Sequence, residues 1–324
     1  MTDPDQNAPA AKPASQPAPN PGFRSGFVAL LGLPNAGKST LMNALVGEHL
    51  AAVSGLPQTT RDRIHGILTD DAMQAIFVDL PGLVQPDDKL NEALRARVLE
   101  SLDDADVILH LVDPSMQPPI TEEIAGLLDR VTTPVLMVVT KLDHEGDGFD
   151  PRRWASGQVH FAARRYQAIL AVSSLLRSGL PQLVEEVRAL LPEGPAYYDP
   201  EDLTDRDMRF LASEMIREKV FHYLHQELPY AIAVEIEEFK ERERGKWHVA
   251  AAIHVERDSQ KGMVIGKGGS TLKKIGQAAR QSIEGLVGAG VFLDLHVRVT
   301  KDWRRDAARL REFGYLRPAR QKHK

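Results

Sequence analysis

Cysteine is absent from the 324 residues. Its absence excludes disulfides, thiolate-bound metals and cysteine nucleophiles together, and fits a reducing compartment. Long apolar runs are missing too: none approaches the ~20 residues that a membrane-spanning helix requires. Asp3 and Asp5 stand where a secretory signal would be basic, and no apolar segment follows them, so no exported leader is expected. No repeat recurs along the chain, which argues against a tandem array. What remains, 43% hydrophobic and 26% charged residues, is the composition of a soluble globular protein with room for two domains.

The net charge of -5 conceals a polarity. Lys240 to Lys324 contain 20 Lys and Arg against 9 Asp and Glu, whereas the rest of the chain holds 20 basic against 36 acidic residues. A basic unit attached to an acidic one points to a polyanion as the ligand of the basic part.

Residues 1–22 are rich in Pro and Ala with almost no large apolar side chain, so a disordered tail is expected there. From 23 to 192, the runs "FVALL", "AIFVDL", "DVILHLVD", "PVLMVVTKLD" and "QAILAVSS" alternate with helical patterns such as "KSTLMNALVG" and "LPQLVEEVRALL". Runs apolar on both faces, alternating with helices, imply an α/β fold: a doubly wound, mostly parallel sheet. Prolines and a glycine in "LPEGPAYYDPEDLTD" place a linker at 193–204. Beyond it, 205–316 read as helix, strand, strand, turn with helix, and strand, a small α+β domain. Residues 317–324, "RPARQKHK", form a basic tail that touches RNA or anionic lipid, or is simply solvated.

The stretch "GLPNAGKST" carries Gly32, Leu33, Pro34, Asn35, Ala36, Gly37, Lys38, Ser39 and Thr40. It follows a strand, opens a helix and fits the phosphate-cradling pattern G-x-x-x-x-G-K-[ST]. Glycines let backbone N–H groups turn inward onto phosphate oxygens, and the helix adds its positive end. Lys38 would neutralise β- and γ-phosphate charge, and Ser39 would ligate Mg²⁺. Three further stretches choose the nucleotide. "DLPG" (Asp79, Leu80, Pro81, Gly82) ends a strand, where Asp79 can hold the magnesium shell and the Gly82 N–H can sense a γ-phosphate. "TKLD" (Thr140, Lys141, Leu142, Asp143) ends another, where a carboxylate accepts from N1 and N2 of guanine, donors that adenine lacks. "VSS" brings Ser173 and Ser174 to a third strand end, offering backbone N–H to guanine O6. Open α/β sheets bind ligands at these carboxyl ends, so GTP and GDP are the expected ligands.

These stretches resemble the translation-factor class of P-loop GTPases, and "SGLPQTTRDRIHGI" resembles the first switch of its Era branch. The resemblance implies that Thr60, rather than Thr59, is the magnesium-sensing threonine, which makes Lys38, Thr60 and Gly82 the residues expected to serve hydrolysis. It also implies that an Asn at position 35 helps hold K⁺; the alternative is that Asn35 merely tolerates a turn. Two positions depart from the pattern. Thr140 stands where the family has Asn, which bears on both the brace between loops and the base contact, and Ser174 stands where Ala is usual. Leu83 follows Gly82 where Ras-like proteins place a glutamine; a leucine cannot orient a water, so slow intrinsic hydrolysis by electrostatic positioning is expected.

"VIGKGG" supplies a second site, Gly266-Lys267-Gly268-Gly269, placed between a strand and a helix. Glycines admit a nucleic-acid backbone closely, and Lys267 adds charge. The turn resembles the clamp of a type II KH domain, which holds four nucleotides of single strand. Val264, Ile265, Leu272 and Ile275 are read as core and groove wall. Lys273 and Lys274 are either solvated charges or phosphate contacts, and join Lys267 as RNA-binding candidates. Trp303 reads as an anchor for the last helix more than as a base platform. His222 and His225 lack the neighbours a metal site needs.

A P-loop GTPase domain followed by a type II KH domain resembles the Era family of bacterial ribosome-assembly GTPases over about residues 25 to 317. That implies binding to the 3′ end of small-subunit ribosomal RNA, action in 30S subunit assembly and rRNA maturation, and release timed by GTP hydrolysis. It further implies a cytoplasmic protein with peripheral contact to the cell membrane. Two other classes are weighed: a GTP-dependent RNA-modifying enzyme, for which no residues remain to build a further domain, and an RNA binder with a degenerate nucleotide site, against which Lys38, Ser39, Asp79 and Asp143 all stand.

Overall fold

Residues 22–56, 59–83, 87–146, 148–161, 164–224, 228–242 and 245–316 are described by a computed structural model. The expectations for the head (residues 1–21), for the tail 317–324 and for His225 lie outside the described residues.

The first unit runs β1 (Arg24–Gly32), α1 (Lys38–Val46), β2 (Ile64–Thr69), β3 (Met73–Asp79), α2 (Lys89–Asp103), β4 (Val107–Val112), α3 (Glu122–Leu128), β5 (Val135–Val139), α4 (Pro151–Ser156), β6 (Ile169–Ala171) and α5 (Leu180–Leu190). Its six strands lie in the order β2-β3-β1-β4-β5-β6. Every residue of β3, β4 and β5 is buried, as strands covered by helices on both faces must be. Register fixes the site. Leu30 pairs with Asp79, Gly32 with Leu111, and Val139 with Ala171, so the carboxyl ends of β1, β3, β5 and β6 meet at one rim. The sheet departs from the sequence reading in one strand, because β2 pairs antiparallel with β3 at the edge. Its run "IHGILT" belongs to the segment read only as a switch, and lacks the two-faced apolar pattern of the interior strands.

The second unit runs α6 (Met208–Tyr223), β7 (Ala233–Arg242), β8 (Lys246–Val255), α7 (Asp258–Ile265), α8 (Ser270–Val287), β9 (Val291–Val299) and α9 (Ala307–Glu312). Here the reading needs correction: the Gly266–Gly269 turn joins two helices rather than a strand and a helix. α7 is one helix of eight residues with Gly262 inside it, and a central glycine weakens the helical signal by about 1 kcal/mol. Ile275, Ala279 and Ile283 recur at four-residue spacing on α8 and are fully buried against the sheet. Each such isoleucine contributes roughly 1.5–3 kcal/mol by burial.

The units are tied together in several places, among them an apolar cluster and the linker. Leu90 and Leu94 of α2 pack against Ala233, Trp303, Leu310 and Tyr315. The linker is stitched to the β2–β3 edge: Ile67 N–H donates to Leu203 O at 2.9 Å, and Gln74 Oε1 accepts from the backbone of Tyr197 and Tyr198 at 2.7 and 2.9 Å.

Candidate functional site

At the end of β1 the chain turns through Asn35, whose φ is 63°, and enters α1 at Lys38. The Lys38 ammonium is buried and donates to Gly32 O at 3.0 Å and Leu33 O at 2.9 Å. Burial pulls it down to about 8 against the opposing pull of Asp79. Two neutral carbonyls solvate an ammonium only partly, so a phosphate oxygen entering the loop gains a charge-assisted bond.

Three oxygens converge beside it. Ser39 Oγ donates to Asp79 Oδ2 at 2.6 Å, Thr60 Oγ1 lies 2.7 Å from Ser39 Oγ, and Thr60 Oγ1 donates to Asp79 Oδ2 at 3.1 Å. Burial pushes the Asp79 carboxyl up to about 6, against the Ser39 and Thr60 hydrogen bonds and the Lys38 charge. Its second oxygen is buried with no hydrogen-bond partner. An all-oxygen set around a desolvated carboxylate with an unsatisfied oxygen suits a hard divalent cation. Thr59 is engaged elsewhere, with Ser54 Oγ at 2.5 Å and Leu56 O at 2.7 Å, so it is Thr60 that the fold brings to the cluster. Lys38, Ser39, Thr59 and Thr60 line a cleft of ≈ 230 Å³ that also takes in Asn35, Gly82 and Lys141.

Gly82 lies against the loop so closely that an added Cβ would come within 2.8 Å of Pro34 Cγ and 3.1 Å of the Pro34 backbone. A larger residue would separate "DLPG" from the phosphate loop. Leu83 turns into the core among apolar neighbours, consistent with its exclusion from water positioning. Asn35 adopts a left-handed turn, and its side-chain amide donates to Gly55 O at 2.8 Å.

Thr140 ties its loop to the β1–α1 turn, since its hydroxyl donates to Ala36 O at 2.9 Å, with Val112 O at 3.3 Å as an alternative acceptor. Lys141 takes a left-handed φ of 58° and pairs with Asp113 at 2.7 Å. Asp143 accepts from the Ser173 hydroxyl, and that bond above all holds its carboxyl below the usual range. The backbone N–H of Ser173 donates to Ser178 O at 3.1 Å. Ser173 is therefore a side-chain brace for Asp143, and its own N–H is already engaged within the loop. Asp113 and the Ser173 hydroxyl were missed by the motif reading; the signal for Asp113 was its place at the end of "HLVD".

In the second unit, Gly266 ends α7 with φ 73°, and Gly268 and Gly269 follow at 59° and 79°. A Cβ on Gly266 would meet Thr271 Oγ1 at 2.2 Å, whereas Gly268 and Gly269 have no atom within 4 Å of theirs. The turn is thus fixed at one end and open at the other, with Lys267, Lys273 and Lys274 exposed beside it. Trp303 is fully buried, donates to Ala231 O at 3.0 Å and stacks on Tyr315, so it anchors the last helix and is not available to a base. His222 is exposed and belongs to no metal-holding cluster among the described residues.

Residues 27–141 match the family described as 50S ribosome-binding GTPase, and residues 227–304 match the KH domain. GTPase Era of Geobacter metallireducens is 46% identical over 295 residues, covering 90% of this chain and 98% of its own. GTPase Era of Lactobacillus helveticus is 42% identical over 294 residues, covering 90% and 96%. Among solved structures, Era in complex with MgGDPNP and nucleotides 1506-1542 of 16S ribosomal RNA superposes with a TM-score of 0.85 at 33% identity, over 91% of this chain and 100% of that one. Aquifex aeolicus Era bound to GDP.AlF4- gives 0.84 at 33%, with the same coverage.

Proposed function

The chain belongs to the Era family of GTPases, and from that premise we propose that it binds the 3′ end of 16S ribosomal RNA through the Gly266–Gly269 turn and leaves the maturing 30S subunit when GTP is hydrolysed. The observation that carries this reading is the presence, in one chain, of the Ser39–Thr60–Asp79 oxygen cluster and an open basic glycine turn between two helices. The solved relative with both a magnesium nucleotide and that RNA bound supports pairing the two.

In this reading, Ser39, Thr60 and Asp79 hold Mg²⁺, which neutralises charge on the phosphate oxygens. Lys38 binds the same oxygens, and the backbone of Gly32 to Thr40 wraps them. The N–H of Gly82 meets the γ-phosphate, and Leu80 and Pro81 set its position. Hydrolysis proceeds by electrostatic positioning, since Leu83 lies in the core. Asp143 accepts from guanine, Thr140, Lys141 and Leu142 shape its loop, and Ser174 faces the base oxygen. Asn35 contributes its carbonyl oxygen to K⁺. Lys267, Lys273 and Lys274 contact RNA phosphates. The units performing these tasks are 23–192 and 205–316, joined by 193–204. The protein works in the cytoplasm with peripheral contact to the cell membrane; no helix among the described residues is long and apolar enough to cross one.

Crosslinking in cells followed by sequencing tests the RNA half: reads should concentrate at the 3′ end of 16S rRNA, and reads spread elsewhere would overturn it. For the cation, turnover is compared in K⁺ and Na⁺ at equal ionic strength, with Asn35→Ala beside the parent. Faster turnover in K⁺ that Asn35→Ala abolishes is expected; equal parental rates remove the K⁺ assignment.

A further inference from the structure

The loop that carries Thr60 is also held from outside its own unit. Thr59 O accepts from Arg217 Nη1 of α6. Arg217 is braced in turn by a two-pronged pair with Glu214, in which Nε donates to Oε1 at 2.9 Å and Nη2 to Oε2. Both side chains are buried, at 2% and 6% exposure. On the other side of Thr60, Arg61 is inserted into the second unit. It donates to Ile232 O at 2.5 Å and Tyr230 O at 2.9 Å, and its guanidinium lies over Phe221 and Trp303. Earlier in the loop, Val53 N–H donates to Glu218 Oε2 at 3.1 Å. Threonine 60 is thus suspended between two arginine anchors, one on α6 reaching in and one on the loop reaching out.

A buried arginine–carboxylate pair is seldom the cheapest way to stabilise an interface, because desolvation offsets much of the attraction. What this pair supplies that an apolar residue would not is a directed donor to one carbonyl, next to the threonine of the oxygen cluster. We propose that Arg217, braced by Glu214, is a positioning residue for GTP hydrolysis: it fixes the Thr59 carbonyl and through it the Thr60 hydroxyl at Ser39 and Asp79. The hydrolytic site is therefore completed by the helix after the linker. The inference rests on the assignment of Thr60 to the magnesium set made above.

The test uses the full chain with Mg²⁺ and GTP, comparing Arg217→Met, Arg217→Lys and Thr60→Ala with the parent. A group that acts only as the reaction proceeds lowers kcat with little effect on ground-state binding, so Arg217→Met should lose about tenfold or more in kcat. GDP affinity should stay within about twofold, and the Mg²⁺ concentration for half-maximal turnover should rise. Arg217→Lys keeps one donor within reach and should recover part of kcat. A merely structural role would lower thermal stability and both nucleotides' affinities together, with no change in Mg²⁺ requirement; that result overturns the proposal. Should Arg217→Met fail to fold because Glu214 is left buried and charged, the pair Glu214→Gln/Arg217→Met gives the same reading without the charge. If Thr60→Ala hydrolyses like the parent, the magnesium assignment falls and this inference with it. If Thr60→Ala is impaired while every Arg217 variant matches the parent, only this inference falls.

Discussion

One oxygen of Asp143 is already bonded to the Ser173 hydroxyl, so in the guanine-binding role proposed for it the carboxylate is oriented before the base arrives. Asp143→Asn keeps the shape and the Ser173 partner but loses a charged acceptor, worth about 1.5–3 kcal/mol, a roughly tenfold to hundredfold loss in GTP affinity. Xanthosine triphosphate, with an acceptor in place of one donor, should bind better in the variant. Unchanged GTP affinity in direct titration would remove Asp143 from base recognition. His110 is a residue of another kind. It is buried on β4, bonded to Tyr166 at 3.0 Å, and burial pushes it down from 6.5 to about 3. In that window the unfolded chain binds a proton that the folded one refuses, so stability is lost as pH falls below 6.5 and rises as pH rises. The loss approaches ~1.4 kcal/mol per pH unit. Denaturant titrations from pH 7 to 5 should show a shallower acid dependence for His110→Gln; parallel curves would contradict the assignment.

Among elements, legibility followed the apolar pattern. Strands β1, β3, β5 and β6 each end in a motif because a buried run must emerge somewhere, and polar residues at that emergence are visible in the sequence. α7 and β2 were hidden for opposite reasons: one is a short helix diluted by Gly262, the other an edge strand without a continuous apolar run. Arg61 and Arg217 could not be found at all, since the carbonyls they bond across the units lie 158 to 171 residues away and no local spacing encodes such contacts. The glycine turn was found, though its setting was misjudged, and its geometry sharpens the mutation to make. Gly268 sits at φ 59° with open space around it, a conformation that Asp tolerates better than most residues. Gly268→Asp should therefore fold normally, abolish binding to a 3′ rRNA fragment, and leave GTP affinity intact. Lys267→Ala should only weaken binding and lower the salt slope by about one phosphate contact. Affinities across a salt series decide it; wild-type RNA binding by Gly268→Asp would move the RNA surface elsewhere.

At the scale of the molecule, the two units share buried groups rather than a hinge. Trp303 reports this directly, because it sits in the second unit yet packs in the cluster that includes Leu90 and Leu94 of α2. Nucleotide bound far from it should still protect it. Ligand at a hundredfold over its Kd adds about 2.7 kcal/mol, and the unfolding midpoint read by tryptophan fluorescence should shift as a single transition together with hydrogen exchange in α8. Two transitions, only one of them moved by GDP, would show that the units unfold independently. The linker has a consequence of its own. A segment rich in proline between two domains is ordinarily where proteases cut and where insertions are tolerated. Here it lies along the open margin of the sheet, with Leu203 O accepting from Ile67 and Gln74 holding both tyrosines. A margin bonded in this way at Ile67 leaves less free strand for another chain to pair with, so the connector serves as a guard against aggregation, and loosening it would expose the β2 edge and the linker itself in the same event.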